Sequence, residues 1–233
     1  MTPSTRVRRP LSLVAGVLAS IALGQIALSA LPLGPRATHM ASHILLMNAA
    51  APALALVTIA VYGAQVPVFL SAKLLAAATF LQLALLWTWH APIVLALAAR
   101  QPIAHAFMQA SLLAASLGFW LAVLSEEGVF RWRGVIAILL TGKLSCLLGM
   151  LLLLAPRLLY ADVASDHGHG AADFDGLLSD QRLAGLLMLA ACPLCYVLTG
   201  VAIASKSLRD LERIGAEQRP TFSISSDVSM APR

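Results

Sequence analysis

HMASHILLMNAAAPALALVTIAVY, residues 39–62, contains no charged side chain and opens on two histidines. A run this long and apolar reads as a helix crossing a bilayer, because about 20 such residues span the hydrocarbon core. His39 and His43 are four apart, so on that helix they lie one above the other on one face. Imidazole is the commonest protein ligand for transition metals, and such a pair presents two ring nitrogens to one ion. Histidines also settle at helix ends near water without any ligand. The rest of the chain bears on that choice.

Of the 233 residues, 59% are hydrophobic and 12% charged, whereas a soluble domain carries about 25% charged residues. Several apolar runs exceed the spanning length. The expected fold is therefore an all-α polytopic membrane protein, a bundle of about six transmembrane helices in the lipid bilayer. The net charge of +5 forms no basic stripe, which excludes a nucleic-acid partner. Cys146, Cys192 and Cys195 all fall inside apolar runs, so a disulfide framework is not expected. No nucleophile–base pair, phosphate loop or thiol relay stands out, and the chain is not read as an enzyme.

Residues 1–10 are polar, carry Arg6, Arg8 and Arg9, and read as a cytoplasmic tail. The first apolar run is 11–33. Ala27-Leu28-Ser29 would serve as a cleavage site, but the run is long for a signal peptide, and an uncleaved span is preferred. The second span is 39–62, followed by a turn at 63–67. The third, 68–89, ends in Trp87-Thr88-Trp89-His90-Ala91-Pro92, with interfacial aromatics and a helix-disturbing proline. Arg100-Gln101-Pro102 breaks the chain again. The fourth span is 103–124, the fifth 135–155 and the sixth 181–204. The connection 156–179 is the longest polar one, and five of the chain's eleven acids lie between Asp162 and Asp180. The membrane domain thus covers 11–205, and 206–233 reads as a disordered cytoplasmic tail.

Lys and Arg set the orientation. With the N-terminus inside, inner segments hold eleven of the sixteen, outer segments hold Arg36, Arg100, Arg157 and Arg182, and Lys143 lies within a span. Both termini are therefore expected in the cytoplasm. Every histidine then falls on the outer side. His39 and His43 start span two, His90 ends span three, His105 starts span four, and His167 and His169 lie in the outer loop. At 1.5 Å rise per residue, His39, His43, His90 and His105 share one level near the outer boundary. Asp180, at the start of span six, shares it too.

Ligating groups at membrane depth usually face the bundle interior and are functional. Neutral imidazoles with a carboxylate nearby suit copper, zinc or iron. Met40 and Met47 would favour Cu(I), although methionine in a membrane helix is usually packing. His167-Gly168-His169 reads as a solvated loop that could collect cations. Cys192-Pro193-Leu194-Cys195 has redox spacing but lies mid-span, where packing at a proline kink is the simpler reading. Lys143, buried in span five, wants a partner or snorkels to the inner surface.

The motifs His39-Met40-x-x-His43-x-Leu45-Leu46-Met47, Ala51-Pro52, Leu86-Trp87-x-Trp89-His90-x-Pro92, a histidine opening the next span, and Asp180-Gln181-x-x-Ala184-Gly185-x-x-Met188 form a pattern. It resembles the CtaG family of membrane-embedded cytochrome c oxidase assembly factors, associated with caa-type oxidases, over about residues 36–204. The resemblance implies a multi-pass protein of the bacterial plasma membrane that helps make active oxidase by delivering copper to its subunits. His39, His43, His90, His105 and Asp180 match the family's polar positions. Relatives often carry a second histidine one turn after the one matching His105, and here that position is Gln109.

The leading expectation is an assembly factor holding Cu(I) in an outward-facing histidine site and passing it to oxidase subunits. The alternatives are a haem-binding membrane protein using the same histidines, or a transporter or scaffold whose histidines are interfacial. The chain is compatible with a homo-oligomer.

Overall fold

The computed structural model describes residues 3–63, 72–159 and 174–217. Among the described residues all regular structure is helical and no strand occurs. Helix α1 is Pro3–Ser29 and α2 is Pro35–Ile44. A π-helical segment, Leu45–Ala50, joins α2 to α3, Ala51–Tyr62. Then come α4 (Ala72–Trp89), α5 (Pro92–Arg100), α6 (Pro102–Leu124), a short 3-10 turn (Gly128–Phe130), α7 (Arg131–Leu154) and α8 (Phe174–Glu217).

Among the described residues five helices are long and apolar enough to cross a membrane, or six if the bent pair Lys73–Trp89 and Pro92–Arg100 forms one span. Large apolar side chains such as Leu23, Phe80, Leu147 and Leu198 face outward. That surface suits hydrocarbon rather than water, and the helices satisfy their own backbones within it. The chain is an all-α, multi-pass membrane protein, as its composition implies.

The bundle is tightest between α7 and α8. Gly149 and Gly185 face each other there. A Cβ on Gly185 would lie 2.7 Å from both the Gly149 carbonyl oxygen and the Leu153 amide nitrogen. Only glycine admits so close a backbone approach, the usual device where lipid removes the hydrophobic drive for helix pairing. Two apolar clusters follow along the bundle axis. One, around Met40, Leu86, Met108, Leu148 and Met188, lies towards the histidines. The other, around Ala55, Leu75, Phe119, Ile138 and Tyr196, lies below it.

The structure differs from these expectations at four places. Residues 3–10, read as a tail, are the start of α1. Residues 92–100, read only as a stretch between two proline breaks, form α5, bent by 73° from the helix before it. Ala91 is extended (φ −65°, ψ 134°), because the residue before a proline is pushed out of the helical region. At the other end, α8 continues to Glu217 instead of dissolving at 206. Residues 206–217 are mostly good helix formers, and Arg131 at the start of α7 donates to Asp210 at 2.5 Å, tying the extension down. Lys143 is exposed on the outer face of α7 rather than buried, a placement that lets its stem run along apolar surface.

Candidate metal centre

The site is built on α2. Gly34 occupies the N-cap position with no side chain to cap the helix, and Pro35 follows. The cap comes instead from α8. Both carboxylate oxygens of Asp180 accept hydrogen bonds from the first amides of α2, Arg36 N–H at 2.8 Å and Ala37 N–H at 3.0 Å. A carboxylate there satisfies orphan donors and meets the positive end of the helix dipole. The backbone of Gly34 is extended, a conformation open to any residue, so its need for glycine is steric. A Cβ would run into the Asp180 carboxylate. Next along α8, Gln181 closes α7: its Nε2 donates to the carbonyls of Leu152 and Arg157, both at 3.3 Å, and its Oε1 accepts from Leu159 N–H at 2.9 Å. The Asp-Gln pair thus clamps α2, α7 and α8 at one end of the bundle.

At that end the imidazoles converge. The Nε2 atoms of His39 and His43 are 2.9 Å apart. Ring centroids lie 4.2 Å apart for His39–His43, 5.5 Å for His43–His90 and 6.3 Å for His39–His90. One nitrogen from each of these three residues falls within 4.8 Å of the others, close enough for one ion. His90 sits where α4 breaks, and its Nδ1 is 2.7 Å from the Leu86 carbonyl oxygen. A carbonyl only accepts, so Nδ1 carries the hydrogen and the neutral ring's lone pair is on Nε2. That is the usual arrangement of a metal-binding histidine, with its second nitrogen held by a backbone oxygen.

His105, from the first turns of α6, lies outside that trio, but its ring is 6.1 Å from that of His39. Accessibility is graded across the set. His105 is exposed and His39 half-buried, whereas His43 and His90 are 3% and 4% exposed. Burial thus deepens from His105 at the rim to His43 and His90.

Below His43 the helix widens into its π segment, which Pro52 and the packing of α6 produce together. Ala51 N–H donates to Leu46 O, one residue further back than in an α-helix. Pro52 has no N–H, so the Met47 carbonyl has no donor within its own helix. Ser116 Oγ and Trp120 Nε1 from α6 both donate to it, each at 2.9 Å. The widened turn abuts a small cavity of about 20 Å³, lined by His43, His90, Met47, Asn48, Met188 and Cys192 among others.

The expected ligands therefore divide. His39, His43 and His90 form one cluster, with His105 at its rim. Asp180 shares their end of the bundle, but its hydrogen bonds among the described residues go to backbone amides and none to an imidazole. It positions α2 rather than a ring. His167 and His169 lie outside the described residues. Cys192, read as packing, receives a hydrogen bond from Asn48 Nδ2 at 3.3 Å. Asn48 and Gln82 are buried amides within apolar spans, a signal that the sequence itself carries. Gln82 Nε2 is 3.3 Å from the Tyr196 hydroxyl.

No curated protein and no solved structure matches the chain. The sequence profile of the cytochrome c oxidase caa3 assembly factors matches residues 2–210, nearly its whole length. With the multi-pass helical bundle and the motif histidines gathered at one end, this chain belongs to the cytochrome c oxidase caa3 assembly factor (CtaG) family.

Proposed function

We propose that this assembly factor works by holding copper at the histidine cluster and handing it to an oxidase subunit. The observation that carries the reading is the convergence of His39, His43 and His90, with nitrogens within 4.8 Å of one another and His105 at the rim. Neutral imidazoles with soft thioethers beside them suit Cu(I) more than a hard cation. The graded exposure supports transfer: an ion held at His39 and His105 is open to exchange, and one held at His43 and His90 is shielded. The cargo leaves by ligand exchange onto histidines or cysteines of the subunit docked at that end.

The haem alternative is less well supported. Two axial histidines must stand on opposite faces of a flat macrocycle, whereas the His39 and His43 nitrogens are 2.9 Å apart and the cavity beside them holds about 20 Å³. The Lys and Arg distribution supports a cluster on the outer face of a bacterial plasma membrane with both termini inside. The oxidase partner docks there from the bilayer or from outside.

Metal analysis of the purified protein beside an optical spectrum tests the reading. Copper in a colourless protein is expected, and a Soret band would contradict it. In cells, loss of the protein should lower oxidase activity, most of all under copper limitation. Unchanged activity in copper-starved cells would remove the delivery role.

A further inference from the structure

The cavity beneath the imidazoles has room for one water or one bare ion, about 20 Å³. Its lining is unusual for a membrane core. Three of its lining residues, Met47, Met188 and Cys192, carry sulfur, His43 is shared with the histidine cluster, and all four are buried. Asn48 also lines it. That side chain is 8% exposed, and among the described residues its Oδ1 has no hydrogen-bond partner while its Nδ2 donates to the Cys192 sulfur. Among the described residues Nδ1 of His43 is likewise buried without a hydrogen-bond partner. A buried amide oxygen left without a donor is costly unless something electropositive sits against it.

We propose that this cavity is a second, deeper metal site, in which Cys192, Met47 and Met188 with the Asn48 oxygen hold a soft monovalent ion, Cu(I) in the cell. The inference rests on the copper reading of the histidine cluster and adds a second station behind it, reached through His43. Thioether and thiolate select soft ions, and a hydrated hard cation would not shed its water for them. Binding exchanges the ion for the Cys192 thiol proton, which leaves to outer water past the histidines. Net charge in the core is unchanged, which keeps a cation tolerable at that depth. No electron is transferred.

The test is anaerobic Cu(I) titration of the full chain in nanodiscs, with X-ray absorption at the copper edge. Two ions per chain are expected, one nitrogen-bound and one with copper–sulfur scattering. Cys192→Ser should remove the sulfur signal and one ion, and Cys195→Ser should change neither. Met188→Leu keeps the volume of the core and should weaken the second ion at least tenfold, which guards against misfolding of the cysteine variant. His39→Ala should spare the sulfur-bound ion. Nitrogen-only scattering in the wild type would overturn the second site, with a buried water its occupant, and leave the histidine reading standing. Sulfur scattering that survives Cys192→Ser would also overturn it. No copper at all would overturn both readings.

Discussion

Asp180→Asn separates a carboxylate that builds the site from one that touches it. In the wild type both oxygens accept from the first amides of α2, at 2.8 and 3.0 Å. Asparagine offers one acceptor and turns its NH2 towards the second amide, so one charge-assisted hydrogen bond is lost. Such a bond contributes about 1.5–3 kcal/mol. For a chain of this size that is a fall in melting temperature of roughly 3–12 °C. His39 lies two residues beyond Ala37 on the loosened turn, so copper affinity should fall with stability, by roughly 10–100-fold as for other groups that orient a ligand. The assays are a thermal melt in detergent and competition with a Cu(I) chelator, run on the same preparation. Unchanged melting with unchanged affinity would refute the clamp. Lost affinity with unchanged melting would place Asp180 against an imidazole instead of under the helix.

Gly34→Ala should reproduce that phenotype without altering any polar group, because its Cβ displaces the Asp180 carboxylate. Wild-type melting and copper binding in that variant would count against the close approach. Gly185→Ala drives a methyl to 2.7 Å from two backbone atoms of α7 and should cost about 1–3 kcal/mol, read as a lower melting temperature and reduced accumulation. For orientation, Gln101→Cys should react with an impermeant maleimide from outside and Glu127→Cys should not, and the opposite pattern would invert the bundle.

Much of this was legible in the sequence because helix rise and span boundaries fix height. Counting residues from the ends of apolar runs puts His39, His43, His90 and His105 at one level, and the structure brings their rings together. Height, however, says nothing about which partner a side chain reaches. Asp180 is expected at the level of the histidines, yet its partners are amides 143 and 144 residues away in sequence, a contact set by how α8 packs on α2. The absence of a side chain at Gly34, next to Pro35, was the local trace of that contact. Helix α5 was hidden because nine residues between two prolines carry too short a pattern to distinguish helix from loop. The π segment was out of reach for another reason. Pro52 removes a donor wherever the chain folds, but only Ser116 and Trp120, on another helix, make the widened turn tenable. The continuation of α8 past 206 similarly depends on Arg131, and polar composition alone read as a tail.

The most direct test of the central claim is the Cu(I) affinity of His43→Ala and His90→Ala beside the wild type, measured by chelator competition on protein that inserts and accumulates normally. Because the nitrogens of His39, His43 and His90 lie within 4.8 Å of one another, each deletion leaves two ligands for one ion. Each variant should therefore lose the nitrogen-bound copper, while His167→Ala with His169→Ala should keep it. If the two cluster variants hold that copper as tightly as the wild type and the loop variant does not, the ion is carried by the loop and the histidine cluster is not the site.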